Sequence, residues 1–425
     1  MTTTSYTAYS LNSYASTPIG MAGRITDDGS TITPLPNMKV YTGTGAGDPQ
    51  VEGFADTGNN LRIAATRYTG SGGPGVDIYN AETGTSVAAD RTWANVTNLY
   101  GLVKVGSFLY ALDFDNARLV EINPATYLET GKIFNFSTDP TTSGLYTSGT
   151  DFVHGQAIIE IGGVLFGLFT ITNSSWTTYK NSVLVRFTIG SSSITVGSTA
   201  YNNNIEKNAF QMAVQGSDLY IASIGGYQSA GAPNTNSALQ KIAYGTSNLT
   251  TATVNTVFGY SAAYPYEVRD ISFNGTTAYV LVGAYDSSYV MKGKLLQTTT
   301  AFSNFTAISD FSTGAPGYFW AAQYIDNNRI LFAKGNPILY YNAASPATPV
   351  ATLTISSGSL MAAPNISYDS LNDVSYVGAK TTTPLRVRGY RSPAQVSHSP
   401  RGVAARAILK GRPDLLPEEL EELEA

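Results

Sequence analysis

Tight turns followed at once by a short apolar strand recur seven times along this chain. Gly106-Ser107 precedes the run Leu109 to Leu112, for example, and Gly216-Ser217 precedes the run Leu219 to Ala222. The other copies begin at the turns 58–60, 162–163, 274–275, 326–328 and, more loosely, 369–373. Spacings of about 44 to 59 residues, with several strands in each unit, are typical of a β-propeller. The repeat therefore predicts an all-β, seven-bladed propeller, with eight blades as the alternative.

Each repeat is predicted to supply the four antiparallel strands of one blade. The clearest copy begins with an inner strand A over 99–105, followed by strand B over 108–114 and strand C over 117–122. The turn at Asn123-Pro124 favours a sharp reversal, because proline presets its own backbone angle and asparagine bonds the backbone ahead of it. Strand D is then expected near 130–136. Short strands between frequent turns agree with an all-β fold.

The two ends of the chain are expected to close the ring together. The segment 21–33 has the character of strands C and D without an A or B before it, whereas 360–388 offers A, B and a further C. Both ends thus compete for the same C position, which the sequence leaves open. We predict an N-terminal extension over 1–20, a propeller over 21–391 and a charged tail over 392–425 that contains two short helices.

Composition limits the function classes. Only 13 % of the residues are charged, and the net charge of −5 gives no basic footprint for nucleic acid. The absence of cysteine excludes disulfides, thiol chemistry and cysteine-based metal sites. No run of residues reaches the length of a membrane span. A neutral, hydroxyl-rich surface without cysteine favours a bacterial extracellular or cell-surface protein, although the first twenty residues contain no visible signal peptide.

One blade carries a resemblance to a known family. Residues 109–130 combine an aromatic strand B, a short acidic loop, an apolar strand C and an Asn-Pro-x-Thr turn. This segment resembles bacterial surface propellers of the YVTN/quinoprotein-like kind, which implies a propeller fold, export and a binding role. The resemblance transfers no catalytic residue. The paired tryptophans that dock a quinone are missing, so we expect no cofactor.

Aromatic residues are predicted to surround the mouth of the propeller. The D–A and B–C loops meet on one face of a propeller, and this mouth is the default ligand site. Tyrosine and tryptophan join an apolar ring face to a polar group, which suits sugars and peptides. The alternative is that individual rings pack between blades. The candidates in these loops and at the starts of the inner strands are Tyr68, Tyr100, Trp176, Tyr179, Tyr227, Tyr266, Tyr285, Tyr318 and Trp320.

His154, Glu267 and Arg269 are the polar candidates for ligand binding at this mouth, and few residues there could perform acid–base chemistry. The chain has two histidines, His154 and His398, which excludes a multi-histidine metal site, and we predict no metal. His154 begins a buried strand and is expected to be a structural hydrogen-bonding residue. Glu267 and Arg269 share one strand face and are expected to form an ion pair rather than an acid–base couple.

Three functions remain open at this stage. The first is a non-catalytic surface module that binds a neutral glycan or a protein ligand at the mouth. The second is a structural subunit of a surface layer or filament that self-associates through the tail or an edge strand. The third is a hydrolase or lyase whose channel site contains His154, Glu267 and Arg269.

Overall fold

The described residues form seven four-stranded antiparallel sheets. A computed structural model describes residues 3–13, 19–42, 49–67, 75–311, 321–333, 337–354 and 370–381. The innermost strand of each sheet packs beside the innermost strands of its two neighbours, and the series returns to its start. This arrangement confirms the all-β, seven-bladed propeller.

We number the blades by their order along the chain. Blade 1 contains β1 (Thr3–Ser13), β2 (Ile19–Asp27) and β3 (Ile32–Thr42), and blade 2 contains β4 (Pro49–Ala55), β5 (Leu61–Arg67), β6 (Gly75–Asn80) and β7 (Ser86–Thr92). Blade 3 contains β8 (Leu99–Val105), β9 (Phe108–Asp113), β10 (Arg118–Asn123) and β11 (Leu128–Asn135). Blade 4 contains β12 (Asp151–Ile161), β13 (Val164–Asn173), β14 (Ser182–Ile189) and β15 (Ile194–Ile205).

The remaining blades follow the same order. Blade 5 contains β16 (Ala209–Gln215), β17 (Asp218–Ser223), β18 (Ala238–Ala243) and β19 (Asn255–Gly259). Blade 6 contains β20 (Glu267–Asn274), β21 (Thr277–Tyr285), β22 (Met291–Thr299) and β23 (Thr306–Asp310). Blade 7 contains β24 (Ala321–Ile325), β25 (Arg329–Ala333), β26 (Ile338–Asn342) and β27 (Pro349–Leu353), and β28 (Ser370–Thr381) completes blade 1. A single 3₁₀ turn (Ser143–Leu145) lies between β11 and β12.

The recurring glycine turns form the A–B hairpins. Gly106 and Gly216 have φ angles of 57° and 61°, in the left-handed region that glycine enters without steric cost. These turns join the inner strand of a blade to the next strand outward, as in β8–β9 and β16–β17. The repeated turn chemistry thus fixes the start of each blade.

The core lies between the blades. Between blades 3 and 4, Phe134 meets Phe187 edge-on at 5.0 Å between ring centroids, and Phe136 lies 4.9 Å from Phe169. All four side chains are buried. Burying one such ring contributes about 1.5–3 kcal/mol, so the packed faces between blades are the main source of stability.

Ring closure differs in detail from the prediction. The N-terminal strands do close the ring, but they supply three strands of blade 1, in the order β28-β1-β2-β3. The run 374–377 follows the repeated turn 369–373, where the other repeats predict a strand B, but it lies in β28 and is the inner strand A. Strand β1 falls within the predicted extension 1–20 and occupies position B. Strands A and B have similar apolar composition, so the pattern alone does not distinguish them. The tail 392–425 lies outside the described residues.

Four inner strands carry a bulge close to one face of the ring. The pairing register shifts at Tyr100 in β8, Gln156 in β12, Phe210 in β16 and Arg269 in β20, each of which is an extra residue opposite its neighbour strand. A bulge turns a side chain away from the regular alternation of a strand. A fifth shift lies at Asn372, near the start of β28, so bulged inner strands occur in blade 1 as well as in blades 3 to 6. Among the described residues, no helix is long and apolar enough to cross a membrane.

Candidate aromatic site at the propeller mouth

Four rings form a continuous stack where blades 3 and 4 meet. Tyr100 of β8 lies 4.3 Å from Phe114, and Phe114 lies 4.6 Å from His154 of β12, both measured between ring centroids. Trp176, in the loop between β13 and β14, lies 4.2 Å from His154 and is nearly parallel to Phe114. The inner strands and the B–C loops thus bring Tyr100, His154 and Trp176 together, as the sequence predicted for a mouth.

Exposure differs along the stack. Tyr100, Phe114 and His154 are buried, whereas Trp176 is half-buried. The indole therefore covers the buried rings and still presents surface to solvent. Such a side chain can contact a ligand without leaving its own support.

A tightly bonded turn holds Trp176 in an unusual backbone conformation. Its φ angle is 59°, a region that is costly for a bulky residue. The Asn173 side chain accepts hydrogen bonds from the backbone N–H groups of Thr177 (2.9 Å) and Thr178 (3.1 Å). The Trp176 N–H donates to the Asn173 carbonyl at 3.1 Å. The turn thus fixes the position of the indole before any ligand arrives.

The imidazole of His154 lies in apolar surroundings. It is 6 % exposed, and among the described residues neither ring nitrogen has a hydrogen-bond partner. Burial lowers the pKa of His154 to about 3, and the nearby Phe114 backbone opposes this shift weakly. The imidazole is therefore neutral at physiological pH. The ring is held by stacking against Phe114 and Trp176, a contact that the sequence did not predict.

A second polar cluster lies at the start of β20. Arg269 Nη2 lies 2.9 Å from Oε2 of Glu267, and both side chains are buried, which confirms the predicted ion pair. The same carboxylate accepts hydrogen bonds from Gln228 Nε2 (3.0 Å) and from the backbone and side-chain nitrogens of Asn234 (3.1 and 2.7 Å). Arg269 also donates to the Gly283 carbonyl at 3.1 Å. Glu267 therefore anchors the long loop 224–237 to blade 6.

Tyrosines continue the mouth from blade 4 to blade 6. The Arg269 guanidinium lies 5.7 Å from the centroid of the buried Tyr285 ring, and Tyr285 lies 6.3 Å from Tyr289. Tyr227 and Tyr289 are half-buried, whereas Tyr179 is buried. Half-exposed rings therefore occur in the B–C loops of three successive blades.

The other sequence candidates lie elsewhere. Tyr266 packs with the hydrophobic cluster between blades 5 and 6, near Phe258 and Phe305, and does not join the two groups above. Tyr68, Tyr318 and Trp320 lie outside the described residues. Sequence reasoning missed Phe114, Gln228, Asn234 and Tyr289. A signal for Tyr289 was present, because Asp286-Ser-Ser-Tyr289 repeats the pattern of Asn173-Ser-Ser-Trp176.

The described residues contain no group of three or more histidine, aspartate or glutamate side chains placed to hold a metal ion. The site is therefore characterised by stacked rings, amides and one closed ion pair.

The comparisons with known proteins show the fold of this chain and nothing finer. No protein-family model matches the chain, and no curated protein matches it. Among solved structures, the chain is similar to a candidate 6-phosphogluconolactonase from Bacteroides uniformis, with 11 % identity and a TM-score of 0.53 over 88 % of this chain and 99 % of that one.

A candidate 6-phosphogluconolactonase from Bacteroides fragilis gives 11 % identity and a TM-score of 0.51 over 89 % of this chain and 97 % of that one. A puromycin-hydrolyzing peptidase from Mycobacterium tuberculosis gives 10 % identity and a TM-score of 0.48 over 84 % of this chain and 53 % of that one. These comparisons do not confirm the YVTN/quinoprotein-like kind. At such identities the similarity shows the fold alone: a seven-bladed β-propeller.

Proposed function

We propose that this protein is a non-catalytic binding module that recognises a neutral ligand, a glycan or a peptide, at its aromatic mouth. The observation that carries the proposal is Trp176, a half-buried indole held at positive φ on a stack of buried rings.

The backbone conformation of Trp176 costs stability. A non-glycine residue in the left-handed region costs about 1–2 kcal/mol. A comparable turn between β4 and β5, on the opposite face, has Asn59 at this position with a φ angle of 56°. Asparagine tolerates this region far better than a bulky aromatic residue. An indole at this position therefore destabilises the turn, but it offers a flat aromatic surface to a ligand.

Stacking recovers part of this cost. An aromatic pair contributes about 0.5–1.5 kcal/mol beyond its buried area, and Trp176 contacts both His154 and Phe114. One part of the indole remains exposed to solvent. A flat apolar ligand face, such as one side of a sugar ring, could extend the stack by one member.

The charges nearest to this platform along the chain cancel each other. Lys180 follows the Trp176 turn and lies 2.5 Å from Asp151, which begins β12. Pairing leaves little net charge to attract an ionic ligand. A neutral ligand fits this surface better than a nucleotide or a phosphorylated sugar.

Acid–base catalysis has weaker support than binding. Glu267 is already bonded by Gln228, Asn234 and Arg269, so its oxygens are occupied. His154 has no carboxylate bonded to its ring and takes up a proton only in strong acid, because its pKa is about 3. The lactonase and peptidase names of the similar structures keep hydrolysis as the competing function.

The protein is proposed to act outside the cell or at its surface, and a structural subunit is the alternative function. The low charge and lack of cysteine support a role outside the cell or at its surface. A structural subunit would instead self-associate through an edge strand or the tail. Light scattering of the purified chain over a range of concentrations separates a monomer from such an assembly.

The test is an array of neutral glycans and peptides, followed by titration calorimetry on the strongest hits. We expect Trp176→Asn to abolish binding, because asparagine fits the turn but removes the platform. The matched control is Tyr244→Asn, since Tyr244 is a half-buried ring that contacts Phe166 beyond strand C, on the opposite face. Retention of every hit by Trp176→Asn, with full binding by the control, would refute the proposal.

A further inference from the structure

The turn that holds Trp176 occurs again two blades away. In blade 6, the Asp286 side chain accepts hydrogen bonds from the N–H groups of Ser288 (2.9 Å) and Val290 (2.9 Å). The N–H of Tyr289 donates to the Asp286 carbonyl at 3.0 Å, and Tyr289 has a φ angle of 57°. Blades 4 and 6 therefore share one sequence pattern, one hydrogen-bonding pattern and one strained aromatic residue.

This repetition is informative because the aromatic residue is unfavourable both times. The backbone needs a residue that tolerates positive φ, which asparagine or glycine satisfies at little cost. Trp176 and Tyr289 are both half-buried and belong to corresponding B–C loops on the same face. Trp176 packs against Phe114 and Tyr289 against Tyr285, and each ring nevertheless keeps an exposed portion at these two equivalent positions.

A third exposed ring lies between them. Tyr227 is in the loop 224–237 of blade 5, which the hydrogen bonds of Glu267 to Gln228 and Asn234 hold against blade 6. The Gly231 N–H adds a bond of 2.9 Å to the Tyr285 carbonyl. Residues in both halves of the loop 224–237 thus bond to blade 6.

The tyrosines of these loops also influence one another electrostatically. Burial, and then the neighbouring Tyr289, raise the pKa of Tyr227. Burial, and then Tyr227, raise the pKa of Tyr179 in blade 4. These effects accord with the placement of Trp176, Tyr227 and Tyr289, three half-buried rings in the B–C loops of the successive blades 4, 5 and 6.

We propose that Tyr289 is a second ligand platform, and that the ligand is an extended neutral oligosaccharide that lies across blades 4, 5 and 6. One unit stacks on Trp176, another on Tyr289, and Tyr227 contacts the chain between them. This inference rests on the proposed binding function and adds the ligand class and its length. A single sugar would occupy one platform and leave the other unused.

A sugar chain fits this surface better than a peptide. Its rings present flat apolar faces at intervals, which match separated aromatic platforms, and its hydroxyls can bond the tyrosine hydroxyls. A peptide in a groove is more often held by backbone pairing to a strand edge. The inner strands are the edge strands of their sheets, but each packs beside the inner strands of the two neighbouring blades, which restricts the access of a peptide to that edge.

The test is calorimetric titration with cello-, xylo-, malto- and chito-oligosaccharides from dimer to hexamer. For the wild type, we expect affinity to rise with chain length until both platforms are occupied. Tyr289→Asn should remove this rise, with a loss of about tenfold for the longest chains, and should leave the dimer unaffected. Trp176→Asn should abolish binding at every length, as the proposed function requires. Tyr244→Asn, on the opposite face, should change nothing.

The outcomes separate the two proposals. If Trp176→Asn loses binding while Tyr289→Asn keeps the full length dependence, the second platform is wrong and the binding function stands. If the wild type binds peptides from the array but none of these sugars, the oligosaccharide is wrong and binding stands. If the wild type binds neither class, both proposals fail. Melting curves check folding, and both asparagine variants should melt close to the wild type because asparagine suits the turn.

Discussion

Arg329 and Asp27 form an ion pair across 302 residues of sequence, with Arg329 Nε 3.2 Å from Oδ2 of Asp27. Arg329 also donates to the Gly29 carbonyl at 2.8 Å, and both paired side chains are largely buried. Asn327 donates to the carbonyls of Thr3 and Asp27, at 3.0 and 2.8 Å. Blade 7 is thereby bonded to the N-terminal strands of blade 1, at one of the two joints that complete the ring.

Removing the arginine should weaken this joint strongly. Arg329→Met leaves the Asp27 carboxylate buried without its cation, and breaking a buried pair costs about 3–5 kcal/mol. We expect a loss of this size in the free energy of unfolding by urea. The matched control is Lys294→Met, whose pair with Asp310 at 2.9 Å is more exposed and should cost about 1 kcal/mol or less. Equal losses in the two variants would contradict the importance of this joint.

The other joint of blade 1 should not tolerate a larger residue at Gly53. A Cβ added there would lie 2.6 Å from the Cα of Val377 in β28, which is backbone and cannot turn aside. Gly53→Ala should therefore lower the melting temperature clearly, because β4 and β28 must separate. The control Gly245→Ala meets nothing within 4 Å and should melt as the wild type does. A Gly53→Ala variant that melts normally would show that this contact is looser than described.

Acid should destabilise the protein through His154. Burial lowers the pKa of this imidazole from 6.5 to about 3 in the folded state. Between these values the unfolded chain binds a proton that the folded chain does not, so stability falls as the pH falls. From pH 7 to 4.5 the contribution is about 2–3 kcal/mol.

His154→Phe keeps the ring stack and removes this titration. Urea unfolding at pH 7 and 4.5 should therefore show a smaller acid loss in the variant than in the wild type. Measuring the difference between the two proteins cancels the carboxylates that titrate in both. Parallel losses would mean that His154 is protonated in the folded protein, and would contradict its burial.

Catalysis is predicted to be absent. A hydrolase needs a nucleophile or base with free lone pairs near the substrate. Glu267 is occupied by three donor side chains, and His154 is stacked between Phe114 and Trp176. We expect no turnover of glycosides, lactones, esters or peptides in a broad hydrolase and lyase screen with metal analysis. Turnover that disappears in His154→Ala without a change in melting would make the protein an enzyme.

The sequence predicted the blades because their turns are local. Gly106 and its equivalents must occupy backbone conformations that few residues accept, so their chemistry is visible without a structure. The assignment of 374–377 to strand B went wrong for the opposite reason. Inner and second strands are both buried on two faces, and only their position in the ring distinguishes them.

The site was predicted in part. Tyr100 and Trp176 were expected near one face as aromatic residues and His154 as a polar one, and the three rings meet in one stack with Phe114. Tyr266 was grouped with them by its place before an inner strand, yet it turns toward the packing between blades. Bulges such as that at Arg269 change which way successive side chains point, and no local residue pattern announces them. Tyr289 was overlooked although its sequence pattern repeats that of Trp176, because an aromatic residue is not expected at positive φ.

Two neighbouring strands of blade 1 are synthesised at opposite ends of translation. Its inner strand β28 is the last described segment of the chain, whereas its neighbour β1 is the first. At a translation rate of about 5–20 residues per second, β1 waits roughly 20 to 75 s before its partner has been made. During that time one hydrogen-bonding edge of β1 is open to any other extended chain, including the same protein on the next ribosome. The nascent chain is thus most exposed to wrong strand pairing before β28 has been synthesised.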